Sequence, residues 1–277
     1  QEDKLNMLMT ADAEMAKVDG LRVRRSNLTS IREDKWFANT DGAFTEQTIY
    51  ETGGGMQATA VGNGEVQVRS YPTSFGRQQV TAGWEAALSW DLPGNAQRIA
   101  SEAVALLTAD PCPSEITTTL ILGGEQLALQ VHESCGHPIE LDRVFGTEAA
   151  YAGTSFLTTE KLDTFQYGSD IVNMTAESIR PLGLGTFGWD DEGVPAKSTP
   201  IVKDGLFVGY LMSRETATKI GRVSNGCMRA SGWNRIPIIR MTNVSLEAGT
   251  WDFDDLIADT DDGVYMETNR SWSIDDK

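Results

Sequence analysis

Residues 117–137 read TTTLILGGEQLALQVHESCGH, and the fold predicted for the chain depends on this stretch. The apolar run at 117–122 predicts a buried β-strand. Two glycines then turn the chain into a helix that starts near Glu125, where apolar residues begin to recur at helical spacing. Since this helix leads directly into His132, the sequence predicts a strand–turn–helix unit that holds the histidine rigidly.

The pattern on either side of this unit mixes helices with strands. Residues 1–20 and 94–109 carry apolar side chains at helical spacing, whereas 21–90 and the part beyond 150 consist mostly of short extended runs separated by turn residues. We therefore expect an α+β fold, with helices packed on mostly antiparallel or mixed sheets and the motif-bearing helix after a buried strand.

Several short segments carry turn or cap signals. The run 39–42 (NTDG) predicts a hairpin, and Asp204 with Gly205 predicts a tight turn. The triplet 53–55 (GGG) is interpreted as a loose turn or bulge, because the Gly-Lys-Ser/Thr of a phosphate loop does not follow it. Ser213 predicts the N-terminal cap of a short helix.

Charge and composition exclude some classes of function. The chain has 23 basic against 40 acidic residues, a formal net charge of −17, which disfavours direct binding to nucleic acid or anionic membranes. Three cysteines are too few for a disulfide framework, and no apolar run approaches 20 residues, so we expect a cytoplasmic location. The missing initiator methionine and the uncapped C-terminus suggest a fragment of a longer protein.

The chain has two histidines, and both flank a glutamate in one short motif. The common zinc peptidase signature places its histidines four residues apart, on one face of a helix. Here His132 and His137 are five apart, so on an ideal helix their side chains would point about 140° away from each other. Gly136 and Pro138 predict that the helix bulges or ends at Gly136, which would swing His137 back.

With both histidines on one metal ion, Glu133 would act as general base toward water and later protonate the leaving amine. The alternative is that His132 and His137 are ordinary, partly buried polar residues at a helix end. Glu140 and Asp142 follow closely. They would either orient the histidine rings without binding the metal or lie at the end of a helix without a role in the site.

Six ordered blocks of the sequence resemble the TldD/PmbA family, whose members were once labelled modulators of DNA gyrase. The first is HESCGHPIELD at 132–142. The others are DDEGVPA at 190–196, DGLFVGY at 204–210, RETA at 214–217, SNG at 224–226 with Arg229, and PIIRMTN at 237–243. The similarity runs continuously from about residue 95 onward and is weaker before that.

This resemblance implies a cytoplasmic zinc metallopeptidase (a hydrolase) that cleaves unfolded proteins or peptides. It implies one Zn²⁺ per subunit bound by His132 and His137, with Glu133 as the catalytic residue. The assembly would be a homodimer or a heterodimer with a TldE/PmbA-like subunit that lacks the motif. Residues 1–90 would form the C-terminal part of an N-terminal α/β region, and 91–277 a truncated metallopeptidase domain.

The third zinc ligand of the family is a cysteine in a Gly-rich segment that this chain does not reach. None of the three cysteines present is assigned in its place. Cys227 matches no ligand position, Cys135 is expected to point away from the histidines, and Cys112 is expected to be a buried structural thiol. Whether this chain alone retains zinc or activity is left open.

Two other functions compete with the peptidase hypothesis. A non-catalytic scaffold or partner subunit predicts no metal uptake, and a zinc-assisted amidase predicts a closed pocket for a small substrate. Two charged groups remain ambiguous. The acidic run 190–192 is either a cation site or a solvated turn, and the arginines are expected to form ion pairs more than to contact substrate: Arg222, Arg229, Arg235 and Arg240.

Overall fold

The structure is a computed structural model that describes residues 1–269 and 271–274. It has the predicted α+β architecture and divides into two compact units. The first unit comprises Gln1–Arg32, Tyr50–Glu125 and Asp262–Ser271, and the second consists mainly of Glu33–Ile49 and Gln126–Asp261. The division at residue 90 inferred from the sequence stays a prediction.

The helices and strands occur in groups along the chain. The α-helices are α1 (Glu2–Met15), α2 (Trp84–Ser89), α3 (Leu92–Ala105), α4 (Gly124–Val131), α5 (Leu141–Val144), α6 (Ala149–Ala152), α7 (Arg214–Lys219) and α8 (Phe253–Ala258). The strands are β1 (Leu21–Ala38), β2 (Phe44–Gly62), β3 (Glu65–Tyr71), β4 (Gln78–Val80), β5 (Thr119–Leu122), β6 (Met174–Glu177), β7 (Ser198–Lys203), β8 (Leu206–Phe207), β9 (Met228–Arg229), β10 (Ile238–Ile239), β11 (Asn243–Leu246) and β12 (Gly263–Met266). Thus β1–β4, β6–β8 and β9–β11 are runs of consecutive strands. None of the described helices is both long and apolar enough to cross a bilayer.

The core of the first unit lies between two helices and a sheet. α1 and α3 pack together and against β2, where small side chains allow close approach. β2 pairs antiparallel with β3 and β4, and β1 completes this sheet. Both helices lie where apolar periodicity predicted them, and the Asp91 carboxylate caps α3 by accepting the N–H of Gly94.

The glycine triplet shows where the prediction of short strands was wrong. β1 and β2 are 18 and 19 residues long, joined at the predicted hairpin by a turn in which Asn39 N–H donates to Ala43 O. Gly54 and Gly55 lie inside β2, not in a turn. A Cβ on Gly54 would lie 2.9 Å from the Trp90 ring, so these positions are glycine because neighbouring groups pack against the backbone.

The strand before the motif is present but is not buried. In β5 the first two residues are exposed and the last two half-buried. β5 pairs in parallel with β12 in a two-stranded sheet, so packing covers little of its surface. The apolar run therefore predicted the strand correctly and its burial wrongly.

The second unit has an antiparallel sheet in the order β11-β6-β7-β8. The predicted turn at Asp204 and Gly205 joins β7 to β8. Ser213 caps α7 as predicted, through a reciprocal capping box with Thr216. The apolar core of this unit includes Cys135, Ile139 and Leu141, and it therefore anchors the chain immediately after the first histidine.

Candidate metal centre

A π-helical turn follows α4 and contains most of the histidine motif. It spans His132–Gly136, and the N–H of His137 donates to the carbonyl of His132 at 3.0 Å. An i→i+5 turn of this kind is wider than an α-helical turn and occurs often at functional sites. The two imidazole rings consequently lie 4.8 Å apart, edge to face, and the predicted bulge is present.

Pro138 acts differently from the prediction. His137 has ordinary right-handed helical angles (φ −68, ψ −43), so the expected departure from helical geometry at this residue is wrong. Pro138 does lack an N–H, and in an α-helix that N–H would bond to the carbonyl of Ser134. The hydroxyl of Tyr167 takes its place by donating to Ser134 O at 2.9 Å. Tyr167 therefore satisfies the backbone of the motif from 33 residues away.

Gly136 is required for space and not for unusual backbone angles. Its φ is not in the left-handed region. A Cβ at this position would overlap the Met241 sulfur and lie 3.2 Å from Met241 Cγ. The prediction that Gly136 relieves backbone strain is wrong, because the π turn supplies the distortion and the glycine admits the Met241 side chain.

Three side chains of the motif come together. One potential ligand atom each of His132, Glu133 and His137 lies within 4.8 Å of the others. The side chain of His132 is half exposed, and those of Glu133 and His137 are 21% and 25% exposed. Burial lowers the pKa of His132, and the nearby His137 lowers it further. The neutral imidazole is therefore favoured, and this is the form that binds metal ions.

Glu140 and Asp142 have distinct roles. Glu140 is fully buried, and its Oε2 lies 3.0 Å from Nδ1 of His137. The Asp142 carboxylate accepts the backbone N–H groups of Arg143 and Ile239, which fixes β10 to α5. Of the alternatives that the sequence left open, the contact with His137 favours orientation for Glu140, whereas Asp142 matches neither, because its carboxylate supports the backbone.

Within residues 1–269 and 271–274, no cysteine belongs to the cluster of potential ligands formed by His132, Glu133 and His137. Cys135 is buried in the core, as expected for a side chain directed away from the histidines, and burial raises its pKa to about 12. Cys227 is also buried. Cys112 is exposed, contrary to the prediction, because it lies between Pro111 and Pro113 in an irregular segment outside the core.

The acidic run forms a buried turn and not a solvated one. The Asp190 side chain accepts three backbone N–H groups, from Glu192, Val194 and Met228, and is 3% exposed. Asp191 pairs with Lys35 at 2.6 Å. These contacts use the carboxylates to hold the backbone, which is a structural role.

Ion pairing is confirmed for two of the four arginines. Arg222 pairs with Asp163 at 3.0 Å, and Arg240 pairs with Glu148 at 3.0 Å. Arg240 also lies 3.7 Å from Glu140 and thus belongs to the surroundings of the metal centre. Sequence spacing gave no signal for this position or for Tyr167, because both reach the motif only through the tertiary fold.

Comparison with known proteins gives a consistent assignment. Residues 116–276 match the PmbA/TldA metallopeptidase C-terminal domain, and residues 1–109 match the central domain of the same proteins. A metalloprotease of Synechocystis is 30% identical over 265 residues, covering 96% of this chain and 53% of that protein. A metalloprotease of Methanothermobacter thermautotrophicus is 28% identical, covering 94% and 54%. The chain thus spans about half the length of these curated relatives.

Solved structures share the fold. A Thermotoga maritima protein described as a putative modulator of a DNA gyrase superposes with a TM-score of 0.78 at 21% sequence identity. The match covers 98% of this chain and 57% of the Thermotoga chain. TldE from Thermococcus kodakarensis has a TM-score of 0.74 at 17% identity and covers 96% and 57%. At these identities the likeness concerns the fold. The two domain matches show that the chain belongs to the PmbA/TldD metallopeptidase family.

Proposed function

We propose that this chain carries the zinc-binding motif of a peptidase, with His132 and His137 as metal ligands and Glu133 as the catalytic carboxylate. The observation that carries the proposal is the π turn, which brings these three side chains within 4.8 Å in a member of a metallopeptidase family. A π turn produces the required geometry from a five-residue spacing that an α-helix cannot use.

The donor set fits zinc. Imidazole nitrogens are usual zinc ligands, and a catalytic site has three protein ligands and one open position. The lowered pKa of His132 and the buried carboxylate behind His137 both suit imidazoles that act as ligands. When bound, zinc supplies a Lewis acid that polarises the scissile carbonyl and activates water near neutral pH.

Glu133 then performs the proton transfers. Its carboxylate lies 3.8 Å from Nε2 of His132 and is partly open to solvent, so water can reach it. It would accept a proton from the attacking water and deliver this proton to the leaving amine. The third protein ligand is expected from a cysteine outside this chain, as the family resemblance implies. Cys135 is unsuited to the role, since its buried thiol has a raised pKa of about 12.

Unfolded proteins or peptides are the proposed substrates. The half-exposed His132 leaves one side of the motif open to an approaching chain. A homodimer or a heterodimer with a TldE-like subunit in the cytoplasm is the proposed assembly, and the fold shared with TldE is compatible with it.

Zinc binding tests the ligands directly. Purified protein that contains this chain together with the expected cysteine ligand is stripped of metal and titrated with Zn²⁺ in competition with a chromogenic chelator. We expect one site per chain in the wild type and loss of at least 100-fold in affinity in His132→Ala, because a first ligand is removed. Equal zinc affinity in both proteins would refute the assignment of the ligands, and absence of zinc uptake by the wild type would favour the non-catalytic scaffold.

Cleavage of a denatured protein tests the general base. Zinc-loaded Glu133→Gln is expected to bind zinc with little change and to lose at least 100-fold in peptidase rate. Glu215→Gln is a matched control, since this exposed glutamate pairs with Lys219 on α7. Persistent cleavage in Glu133→Gln would remove Glu133 from the mechanism while leaving the metal site intact.

A further inference from the structure

Glu140 is a fully buried carboxylate beside the candidate metal centre. Its side chain is 0% exposed, and its Oε2 lies 3.0 Å from Nδ1 of His137. Two guanidinium groups approach the same oxygen, Arg143 Nε at 3.5 Å and Arg240 Nη1 at 3.7 Å. Burying a charge is costly even when it is paired. A carboxylate in this position therefore suggests a role beyond packing.

The surroundings of Nδ1 restrict the protonation of the His137 ring. Nδ1 lies 3.0 Å from Glu140 Oε2 and 3.4 Å from Arg143 Nη2. A carboxylate only accepts hydrogen bonds and a guanidinium only donates them, so Nδ1 of a neutral ring can bond to one of the two but not both. A hydrogen on Nδ1 selects Glu140. A lone pair on Nδ1 selects Arg143 and leaves the hydrogen on Nε2.

Distances and partners favour the bond to Glu140. Arg143 already donates from Nη1 to Ala152 O at 2.8 Å, and its Nη2 also lies 3.5 Å from Glu148. Within the described part of the chain, Oε1 of Glu140 and Nε of Arg143 have no hydrogen-bond partner. The contact with His137 is thus the hydrogen bond that gives the buried carboxylate a partner.

We propose that Glu140 is a positioning residue that holds His137 with its hydrogen on Nδ1, so that Nε2 presents a lone pair to a divalent metal ion. A carboxylate behind a histidine fixes both the ring orientation and the tautomer in this way. The inference rests on the proposed function for its purpose, but the tautomer itself is a property of the metal-free chain.

Glu148 offers a matched control. It lies 3.0 Å from Arg240 and 3.5 Å from Arg143, so it belongs to the same group of charges. Its carboxylate bonds to these arginines, whereas the carboxylate at Nδ1 of His137 is that of Glu140. A substitution at Glu148 therefore perturbs the charges around Glu140 while keeping the hydrogen bond under test.

The tautomer can be measured without metal or substrate, because the chain contains only two histidines. In ¹⁵N-histidine-labelled protein, long-range ¹⁵N–¹H correlation spectra give two ring patterns, and His132→Ala assigns them. At a pH where the rings are neutral, we expect hydrogen on Nδ1 of His137. Hydrogen on Nε2 would overturn the proposal, and this measurement needs no variant at Glu140.

Substitution of Glu140 extends the test to metal binding. Glu140→Met keeps an unbranched side chain without an acceptor, and should shift His137 toward the Nε2–H form and weaken Zn²⁺ binding about 10- to 100-fold. Glu148→Gln should change neither the tautomer of His137 nor the zinc affinity. An unchanged ring pattern in folded Glu140→Met, or equal shifts in both variants, would contradict the role of Glu140.

Two outcomes separate this inference from the proposed function. If the chain has hydrogen on Nδ1 of His137 but the protein that also carries the expected cysteine ligand takes up no Zn²⁺, the proposed function fails and the positioning contact stands. If it binds Zn²⁺ with hydrogen on Nε2 in the metal-free state, the metal site stands and the positioning role fails. Should Glu140→Met not fold, Glu140→Gln takes its place, with a smaller loss of zinc affinity expected because its amide oxygen still accepts a hydrogen bond.

Discussion

Two polar segments of the second unit differ in what their side chains bond to. In the histidine motif at 132–137, imidazole and carboxylate atoms of three residues face each other and remain partly exposed. In the acidic run at 190–192, the Asp190 carboxylate is buried and bonded to three backbone N–H groups. The sequence presents both as possible ligand clusters. Their bonding shows that one is arranged for a ligand and the other for the backbone.

This difference follows from the supply of backbone donors. The acidic run lies in a turn, where N–H groups without secondary-structure partners are available to a short carboxylate. The motif lies in a helical turn whose N–H groups already bond to carbonyls, so its side chains have no backbone donors to occupy them. A polar cluster on a helix therefore retains free ligand atoms more readily than one in a turn.

Removing Asp190 should have the largest effect on stability. Asp190→Ala leaves three part-buried N–H groups without their acceptor, and the loss of each hydrogen bond costs about 1 kcal/mol or more. We expect the free energy of unfolding, measured by urea titration, to fall by about 3 kcal/mol or more. Asp170→Asn, at an exposed position, should stay within about 0.5 kcal/mol.

The zinc affinity of folded Asp190→Ala should equal that of the wild type. A matching loss of affinity would mean that the acidic run takes part in the metal site, and the contrast between the two segments would then be wrong.

Gly136→Ala should affect the motif through a single steric contact. The added methyl would overlap the Met241 side chain, and overpacking of this kind costs about 1–3 kcal/mol. Since Gly136 ends the π turn, zinc affinity should fall together with stability. Urea unfolding and zinc titration measure the two effects.

The double variant Gly136→Ala with Met241→Ala tests the cause. Truncating Met241 removes the overlapping atoms. The double variant should therefore lose less stability and less zinc affinity than the sum of the losses in the two single variants. Additive losses would show that Gly136 is needed for its backbone conformation, as the sequence had suggested.

How far the sequence predicted this region depends on the range of each interaction. Residue spacing was sufficient to show that an α-helix cannot join His132 to His137. Gly136 and Pro138 indicated where the bulge lies, although the backbone effects expected of them are not those observed. The type of distortion was not predicted, because it depends on Met241 and Tyr167, which lie about 100 and 30 residues downstream. Local pattern identifies the need for a distortion, and tertiary contacts select its form.

The same limit applies elsewhere in the fold. Helical periodicity located α1, α3 and α4 because the period is a local property. Burial of β5 was predicted wrongly, since an apolar run does not reveal how many layers will cover it. The glycine triplet predicts a loose turn or bulge but lies inside β2, because the close approach of Trp90 has no local signal in the sequence.

Tyr167→Phe should have a smaller effect that is specific to the motif. It removes the hydroxyl that bonds to Ser134 O in place of the absent Pro138 N–H, at a cost of about 1 kcal/mol. Because that bond supports the π turn, zinc affinity should also fall by a few-fold. Tyr210→Phe is the control, since its buried hydroxyl bonds to the carbonyls of Leu157 and Thr158.

Both tyrosine variants should lose similar stability in urea titration, and Tyr167→Phe should additionally lose zinc affinity. Equal zinc affinity in the two variants would show that the π turn does not depend on the Tyr167 hydroxyl.

Thiol reactivity should distinguish the cysteines with almost no change in stability. Cys135 and Cys227 are buried, and burial raises the pKa of each to about 12, so neither forms a thiolate readily. Cys112 is exposed and should react with a chromogenic disulfide reagent in the native chain, whereas all three should react in urea. Cys112→Ser should abolish the native reaction and change the free energy of unfolding by no more than about 0.5 kcal/mol. Reaction of Cys135 in the native chain would instead show that the motif opens toward solvent on its core side. The π turn would then be less rigid than its contacts in the structure indicate, and it would differ less from the acidic turn.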